Sequence, residues 1–165
     1  AKMEMSDWDK VVAVHLTGSA ICTRAVWPVM REQKYGRVIM TTSTSGLYGN
    51  FGQANYGAAK AGIAGFSRVI ALELAKYGCT SNTISPGALT RMTIPLRENR
   101  GENVGDSDIE SGGPQHIAPI CAWLASDASA GIPCSSCSSA KTSTDTHIEY
   151  LIFHCAKLSH RNVQV

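Results

Sequence analysis

No stretch of the 165 residues is apolar for long. The absence of any run of eighteen or more apolar side chains means that no membrane-crossing helix is predicted. The first residues also lack the charged-then-apolar layout of a secretory leader. Charge of one sign is equally scarce. Fifteen Lys and Arg against thirteen Asp and Glu leave a formal charge of +2, too small and too scattered to form a footprint for nucleic acid or an anionic membrane. The expectation is an intracellular protein that handles a small molecule, with no nucleic-acid and no membrane partner. Its 44 % hydrophobic content against 17 % charge is enough for one packed core. Of six cysteines, Cys22, Cys79 and Cys121 stand alone among apolar neighbours and read as reduced core thiols, whereas Cys134, Cys137 and Cys155 fall in the last quarter. Ala1 runs almost at once into a helix signal, so residue 1 is not expected to be a natural start.

What is present is an alternation of helix and strand signals. Ser6 with Asp9 resembles a capping box, and an apolar stripe through Trp8, Val11, Val12, His15, Ser19, Cys22, Val26 and Met30 predicts a helix over 7–33, kinked at Pro28 and ended by Gly36. The β-branched run 37–43 predicts a buried parallel strand, followed by a Gly-rich loop over 46–52. Ile63, Phe66, Ile70 and Leu74 predict a second long helix over 54–77, closed by Gly78. A strand is expected over 80–85, stopped by Pro86-Gly87, then a mobile polar flap over 91–113 and a helix starting at Pro114. Such an order implies a parallel α/β layer. Residues 133–165 change character, becoming small and polar and then β-like at 148–153.

Tyr56 and Lys60 stand four apart in the predicted helix and so share one face. A cation beside a phenol favours the phenolate and brings a tyrosine nearer the range of a usable general acid or base. Alone, this pair is a weak signal. Ser43, thirteen residues earlier at the end of a predicted strand, strengthens it, because ligands gather at the carboxyl ends of strands in α/β sheets. Its hydroxyl could hold a substrate carbonyl, and Pro86-Gly87 would occupy the same rim.

The segments TTSTSGLYGNFGQANYGAAKAG and SNTISPGALTRMT resemble the short-chain dehydrogenase/reductase family, and the likeness covers residues 5 to about 132. Within it, VHLTG, KYGRVIMTTS, GLYGNFGQANY and RMT resemble the (3R)-hydroxyacyl-CoA dehydrogenase parts of peroxisomal multifunctional enzymes and their bacterial relatives; related 3-oxoacyl reductases share GNFGQANY. The resemblance implies that Ser43 orients the substrate oxygen, that Tyr56 exchanges the proton, and that Lys60 binds the nicotinamide ribose of NAD or NADP. It further implies packing of Pro86, Gly87, Leu89 and Thr90 on the nicotinamide, and a homodimer built on the two long helices. The cofactor would carry the hydride and the protein would supply position and proton.

Several departures bear on that expectation. Where most of the family has an Asn in the long helix, this chain has His15, either a core or interface histidine or a proton relay. Where the family has Thr five residues after the turn proline, this chain has Arg91. No GxGxxG turn is present, since Gly46, Gly49 and Gly52 have the wrong spacing. The fold expected is therefore the C-terminal part of a Rossmann-like doubly wound parallel sheet with its first, dinucleotide-binding half absent. Residues 1–132 would form the partial domain and residues 133–165 an atypical tail, out of frame or disordered. The function expected is NAD(P)-dependent interconversion of a secondary alcohol and a ketone, most plausibly a 3-hydroxyacyl and 3-oxoacyl thioester, in the cytoplasm or, in a eukaryotic multifunctional enzyme, the peroxisome. A truncated, catalytically silent fragment with at most an interaction role is the alternative. A zinc module on Cys134, Cys137, His147, His154, Cys155 and His160 fits no known finger spacing, and no metal is expected.

Overall fold

The computed structural model describes residues 2–132 and the backbone of 135–141 and 148–154. The first helical rod comprises α1 (Met5–Val12), a π-helical turn (Ala13–Thr17) and α2 (Gly18–Gln33). Strand β1 (Gly36–Thr41) is followed by the short α3 (Thr44–Leu47), the long α4 (Ala54–Leu74) with a 3-10 turn at Ala75–Tyr77, and β2 (Cys79–Ser85). Then come α5 (Ile94–Glu98), α6 (Asp106–Gly112), α7 (Ala118–Ala125), β3 (Ser135–Lys141) and β4 (Ile148–His154).

The sheet runs β1-β2-β3-β4. Strands β1 and β2 are parallel, as are β2 and β3, whereas β4 returns antiparallel on β3. Helices cover both faces, and alternation along β1 shows why. Val38 and Met40 pack with Ile63, Ile70, Leu74 and Cys79 beneath α4, while Ile39 lies on the opposite side against Ile84, Ile120 and Leu124 of the α7 layer. Every residue of β2 is buried although five of its seven side chains are Ser, Thr or Asn. A buried hydroxyl needs a partner. Ser81 finds one in the Ser67 hydroxyl of α4 at 2.8 Å, and the Asn82 amide donates to the Ile132 carbonyl at 3.1 Å, whereas the Thr80 and Ser85 hydroxyls have none among the described residues.

Several expected boundaries move, each for a local reason. The helix starts at Met5 with Glu4 as its cap residue, whose carbonyl takes the Asp7 and Trp8 N–H groups, so Ser6 lies inside the first turn and does not cap it. The helix also runs through Pro28, and its irregularity is the π turn at Ala13–Thr17. It ends not at Gly36 but at Lys34, which takes the left-handed conformation at φ 53°, and Gly36 opens the strand. That strand stops at Thr41, two residues short of Ser43. The 54–77 prediction corresponds to α4 and its 3-10 turn, and Gly78 terminates it at φ 70°, a conformation that costs other residues about 1 kcal/mol. The segment read as a flap holds α5 and α6, and Leu89 N–H is bonded to the Gly112 carbonyl at 2.8 Å. Cys79 is buried as expected, Cys121 is half-buried, and Cys22 is exposed.

Within the segment expected to be an atypical tail, residues 135–141 and 148–154 are strands, the second coinciding with the β-like run; positions 133, 134, 142–147 and 155–165 lie outside the described residues. So do the side chains of the cysteine and histidine set considered for zinc. Among the described residues no group of three or more His, Cys, Asp or Glu side chains is placed to hold a metal ion, and no helix is long and apolar enough to cross a membrane.

Leu74 is fully buried under the sheet, whereas Leu72 on the same helix is 63 % exposed. Leu74→Ala should lower the unfolding free energy by about 2–5 kcal/mol and Leu72→Ala by no more than about 0.5 kcal/mol, read from urea denaturation. Equal losses would show that α4 does not present this face to the sheet.

Candidate active site

The first turns of α4 lie across the carboxyl end of β1, and close backbone approach is what lets them. A Cβ at Gly46 would meet the Ala61 nitrogen at 2.6 Å and the Lys60 carbonyl carbon at 2.7 Å, so only glycine lets the chain pass there. Ser43, extended at φ −157° and ψ 154°, is the cap residue of α3, and its Oγ accepts the Ser45 N–H at 3.2 Å. The Ser45 hydroxyl in turn donates to the Gln53 side-chain oxygen at 2.8 Å, closing the loop that leads into α4.

Lys60 is only 6 % exposed. Its ammonium donates to the Thr41 carbonyl at 2.8 Å and lies 5.6 Å from the centre of the Tyr56 ring. The reason Thr41 offers that carbonyl is geometric. The Thr42 N–H is bonded to Ile84 of β2, and in a trans peptide the carbonyl of the same unit points the opposite way, away from β2. Among the described residues β1 is the edge strand on that side. Burial pushes the Lys60 ammonium below the ordinary lysine range.

His15, on the π turn, meets the Tyr56 ring edge-on, with ring centres 5.3 Å apart and planes at 84°. Burial first, and then the Lys60 charge, hold its imidazole below the ordinary histidine value. The structure thus brings His15, Tyr56 and Lys60 into one cluster, with Ser43 two residues beyond the carbonyl that Lys60 holds. Pro86 and Gly87 are exposed just past the end of β2, which is in register with the end of β1 through Thr41 and Ile84. They therefore lie on the same rim. Leu89 is buried against Gly112, and Thr90 turns to the Thr93 hydroxyl, which its N–H reaches at 2.8 Å.

Two contributors were not visible in the sequence. The hydroxyl of Thr42 donates to the Lys60 carbonyl at 2.8 Å, a contact between positions eighteen apart whose only trace is a hydroxyl beside Ser43. The π turn under His15 left no signature, because the spacing of apolar residues fits an unbroken helix. Beside the cluster a groove of about 480 Å³ runs between the open side of β1 and α2, lined by Val14, Cys22, Val26, Ile39, Thr41 and Lys60 among others.

Because folded His15 titrates below the unfolded value of about 6.5, the unfolded chain takes up this proton first as the pH falls. The stability tied to a neutral His15 is complete above about pH 6.5 and is lost below it, until the folded form is protonated too. The drop in melting temperature between pH 7.5 and 5.5 should therefore be larger in the wild type than in His15→Asn. Identical pH dependence by circular dichroism would remove His15 from the cluster with Tyr56 and Lys60.

Comparison with known proteins shows the family. Residues 1–101 match the short chain dehydrogenase family. The chain is 50 % identical over 125 residues to the peroxisomal hydratase-dehydrogenase-epimerase of Neurospora crassa, covering 76 % of this chain and 13 % of that protein. It is 41 % identical over 137 residues to a 3-oxoacyl-[acyl-carrier-protein] reductase of Synechocystis, covering 78 % and 52 %. The full-length peroxisomal multifunctional enzyme type 2 of Drosophila melanogaster superposes with a TM-score of 0.71 at 36 % identity, over 91 % of this chain and 25 % of that one. The chain thus spans about half, or much less, of the lengths of these relatives. With helices on both faces of a sheet whose first three strands are parallel and the family match running through the Tyr56 and Lys60 helix, the chain belongs to the short-chain dehydrogenase/reductase family.

Proposed function

We propose that this chain is the catalytic half of an NAD(P)-dependent oxidoreductase that interconverts a secondary alcohol and a ketone, with a 3-hydroxyacyl or 3-oxoacyl thioester as substrate. The observation that carries the reading is the cluster of half-buried His15 and Tyr56 with buried Lys60 at the carboxyl end of β1. Names of relatives, a hydratase-dehydrogenase-epimerase and a 3-oxoacyl reductase, support the acyl thioester. The first of those names also supports a peroxisomal location, within a eukaryotic multifunctional enzyme; otherwise the reading is cytoplasmic.

In this reading the Ser43 hydroxyl donates to the substrate carbonyl oxygen and the Tyr56 phenol hands its proton to the same atom. Lys60 stabilises the negative charge left on the phenol oxygen, and it does so more effectively in a site shielded from water. A neutral imidazole both donates and accepts, so His15, edge-on to Tyr56, relays the replacement proton from the groove. The nicotinamide, when bound, supplies or takes up the hydride. Donor chemistry fits its ribose end: the Lys60 ammonium and Tyr56 phenol offer hydroxyl-binding groups, and the Pro86-Gly87 rim, with Leu89 and Thr90 behind it, offers a surface for the ring. For the pyrophosphate the described residues offer no Gly-rich strand-to-helix turn. The exposed edge of β1 and the groove beside it support a nucleotide-binding half supplied from outside these residues. Exposed Val69 and Leu72 on α4, with Val14, Ile21 and Val29 on the first rod, support a homo-oligomer in the full-length form.

The second reading, a catalytically silent fragment, is favoured by that same open edge, and two measurements separate them. Tyr56→Phe should lower reduction of an acetoacetyl thioester by about 10²- to 10⁴-fold, followed as NADH or NADPH absorbance in a form extended upstream. Fluorescence titration should show micromolar dinucleotide binding by that form and far weaker binding by the 165 residues alone. An undiminished rate in Tyr56→Phe would place the chemistry elsewhere, and micromolar binding by the short chain would make it a complete enzyme.

A further inference from the structure

We propose that Thr42 is a positioning residue that sets the spacing between Ser43 and Lys60; the inference rests on the catalytic reading of those two side chains. Thr42 is 1 % exposed, and both of its polar groups outside the main-chain carbonyl have partners in different elements. Its N–H donates to the Ile84 carbonyl at 2.8 Å, which fixes the end of β1 to the end of β2 and so to the Pro86-Gly87 rim. Its hydroxyl donates to the Lys60 carbonyl at 2.8 Å, which fixes the same point to the middle of α4. The preceding carbonyl, that of Thr41, receives the Lys60 ammonium at 2.8 Å. The following residue is Ser43.

Lys60 is therefore held twice by adjacent residues of one strand end, through its backbone by Thr42 and through its side chain by Thr41. Neither contact touches the reacting atoms. Without the Thr42 hydroxyl, α4 retains its own helical bonds but loses its backbone tie to the strand end, leaving only the flexible Lys60 side chain on the Thr41 carbonyl. The close approach of Gly46 to Lys60 and Ala61 marks the same junction, and it keeps the two backbones in contact without fixing how far one slides along the other. A hydrogen bond supplies that missing direction, because it weakens steeply with angle. Displacement of a positioned group by about 1 Å can cost about a hundredfold in rate.

Valine matches threonine in shape and lacks the hydroxyl, whereas serine keeps the hydroxyl and lacks the methyl. Thr42→Val should lower kcat by about ten- to a hundredfold with KM within about twofold, and shift the pH profile of kcat. Thr42→Ser should recover at least about half of the wild-type kcat. Turnover is measured on an acetoacetyl thioester in the upstream-extended form. Independently, carbon-13 NMR titration of the Lys60 side chain in the 165-residue chain, assigned by its loss in Lys60→Arg, should show the Lys60 pKa moving back toward the ordinary lysine value in Thr42→Val and not in Thr42→Ser. Wild-type kcat and an unchanged Lys60 titration in Thr42→Val would overturn the proposal. Equal impairment of both variants in step with a lower melting temperature would overturn it as well, by reducing Thr42 to a packing role. A wild-type protein that turns over no 3-oxoacyl thioester would instead defeat the functional reading, and the Lys60 titration would still decide whether Thr42 positions the lysine.

Discussion

A lysine ammonium that has left water must be given acceptors, and this requirement organises the centre of the molecule. Lys60 lies where α4 crosses the end of β1, and the acceptor at hand is the Thr41 carbonyl, turned outward because its own peptide N–H is committed to β2. Much of the local architecture follows from keeping that contact. Gly46 must lack a side chain so that the loop can pass beneath the helix, and Ser43 must extend directly from the strand end. Ser45 and Gln53 close the loop that delivers α4 at the right height. The same contact leaves the ammonium 5.6 Å from the centre of the Tyr56 ring.

The neighbouring strand shows the same preference for polar ties over apolar bulk. Strand β2 is central and wholly buried, a place where near-continuous Val, Ile and Leu are usual, yet it carries Cys79, Thr80, Ser81, Asn82 and Thr83 in succession. Pairs such as Ser67 with Ser81 contribute little net stability, since each bond replaces one to water. Their value lies in register. A misplaced apolar contact is tolerated, whereas a buried hydroxyl shifted away from its partner is penalised in full. On β2 it is the Ser67–Ser81 pair and the Asn82 amide that carry this constraint on alignment, since the buried Thr80 and Ser85 hydroxyls have no partner among the described residues.

Periodicity carried most of the architecture into view. The spacing of Ile63, Phe66, Ile70 and Leu74 marked α4 because that helix has one face on the sheet, and Gly78 marked its end because the left-handed cap requires it. Tyr56 and Lys60 were legible for the same reason, as an i, i+4 pair on a regular helix. Less visible were features set by tertiary geometry. The contact between Thr42 and Lys60 spans eighteen positions, and the start at Met5 depends on a main-chain carbonyl, Glu4, with no side-chain signature. The segment 91–113 was read as a loop because α5 and α6 are only five and seven residues long, too short to establish a hydrophobic period. Ser43 closes the β-branched run that predicts a strand over 37–43; the structure ends the strand at Thr41 and uses the extended Ser43 to cap a turn.

The π turn at Ala13–Thr17 has a consequence for how this chain can vary. A π-helical turn accommodates one residue more than an α-helical turn, and here it does so without ending the helix. Removing one residue there would restore a regular helix and rotate α1 by about 100° relative to α2, since each residue advances an α-helix by that angle. His15 would be carried off the Tyr56 ring, and the Asp7 carbonyl would leave the Asn55 amide that now meets it at 3.3 Å. A one-residue deletion in this rod would therefore shift every contact made on its N-terminal side, whereas a substitution alters one, so the length of the rod up to the turn is part of what sets His15 against Tyr56.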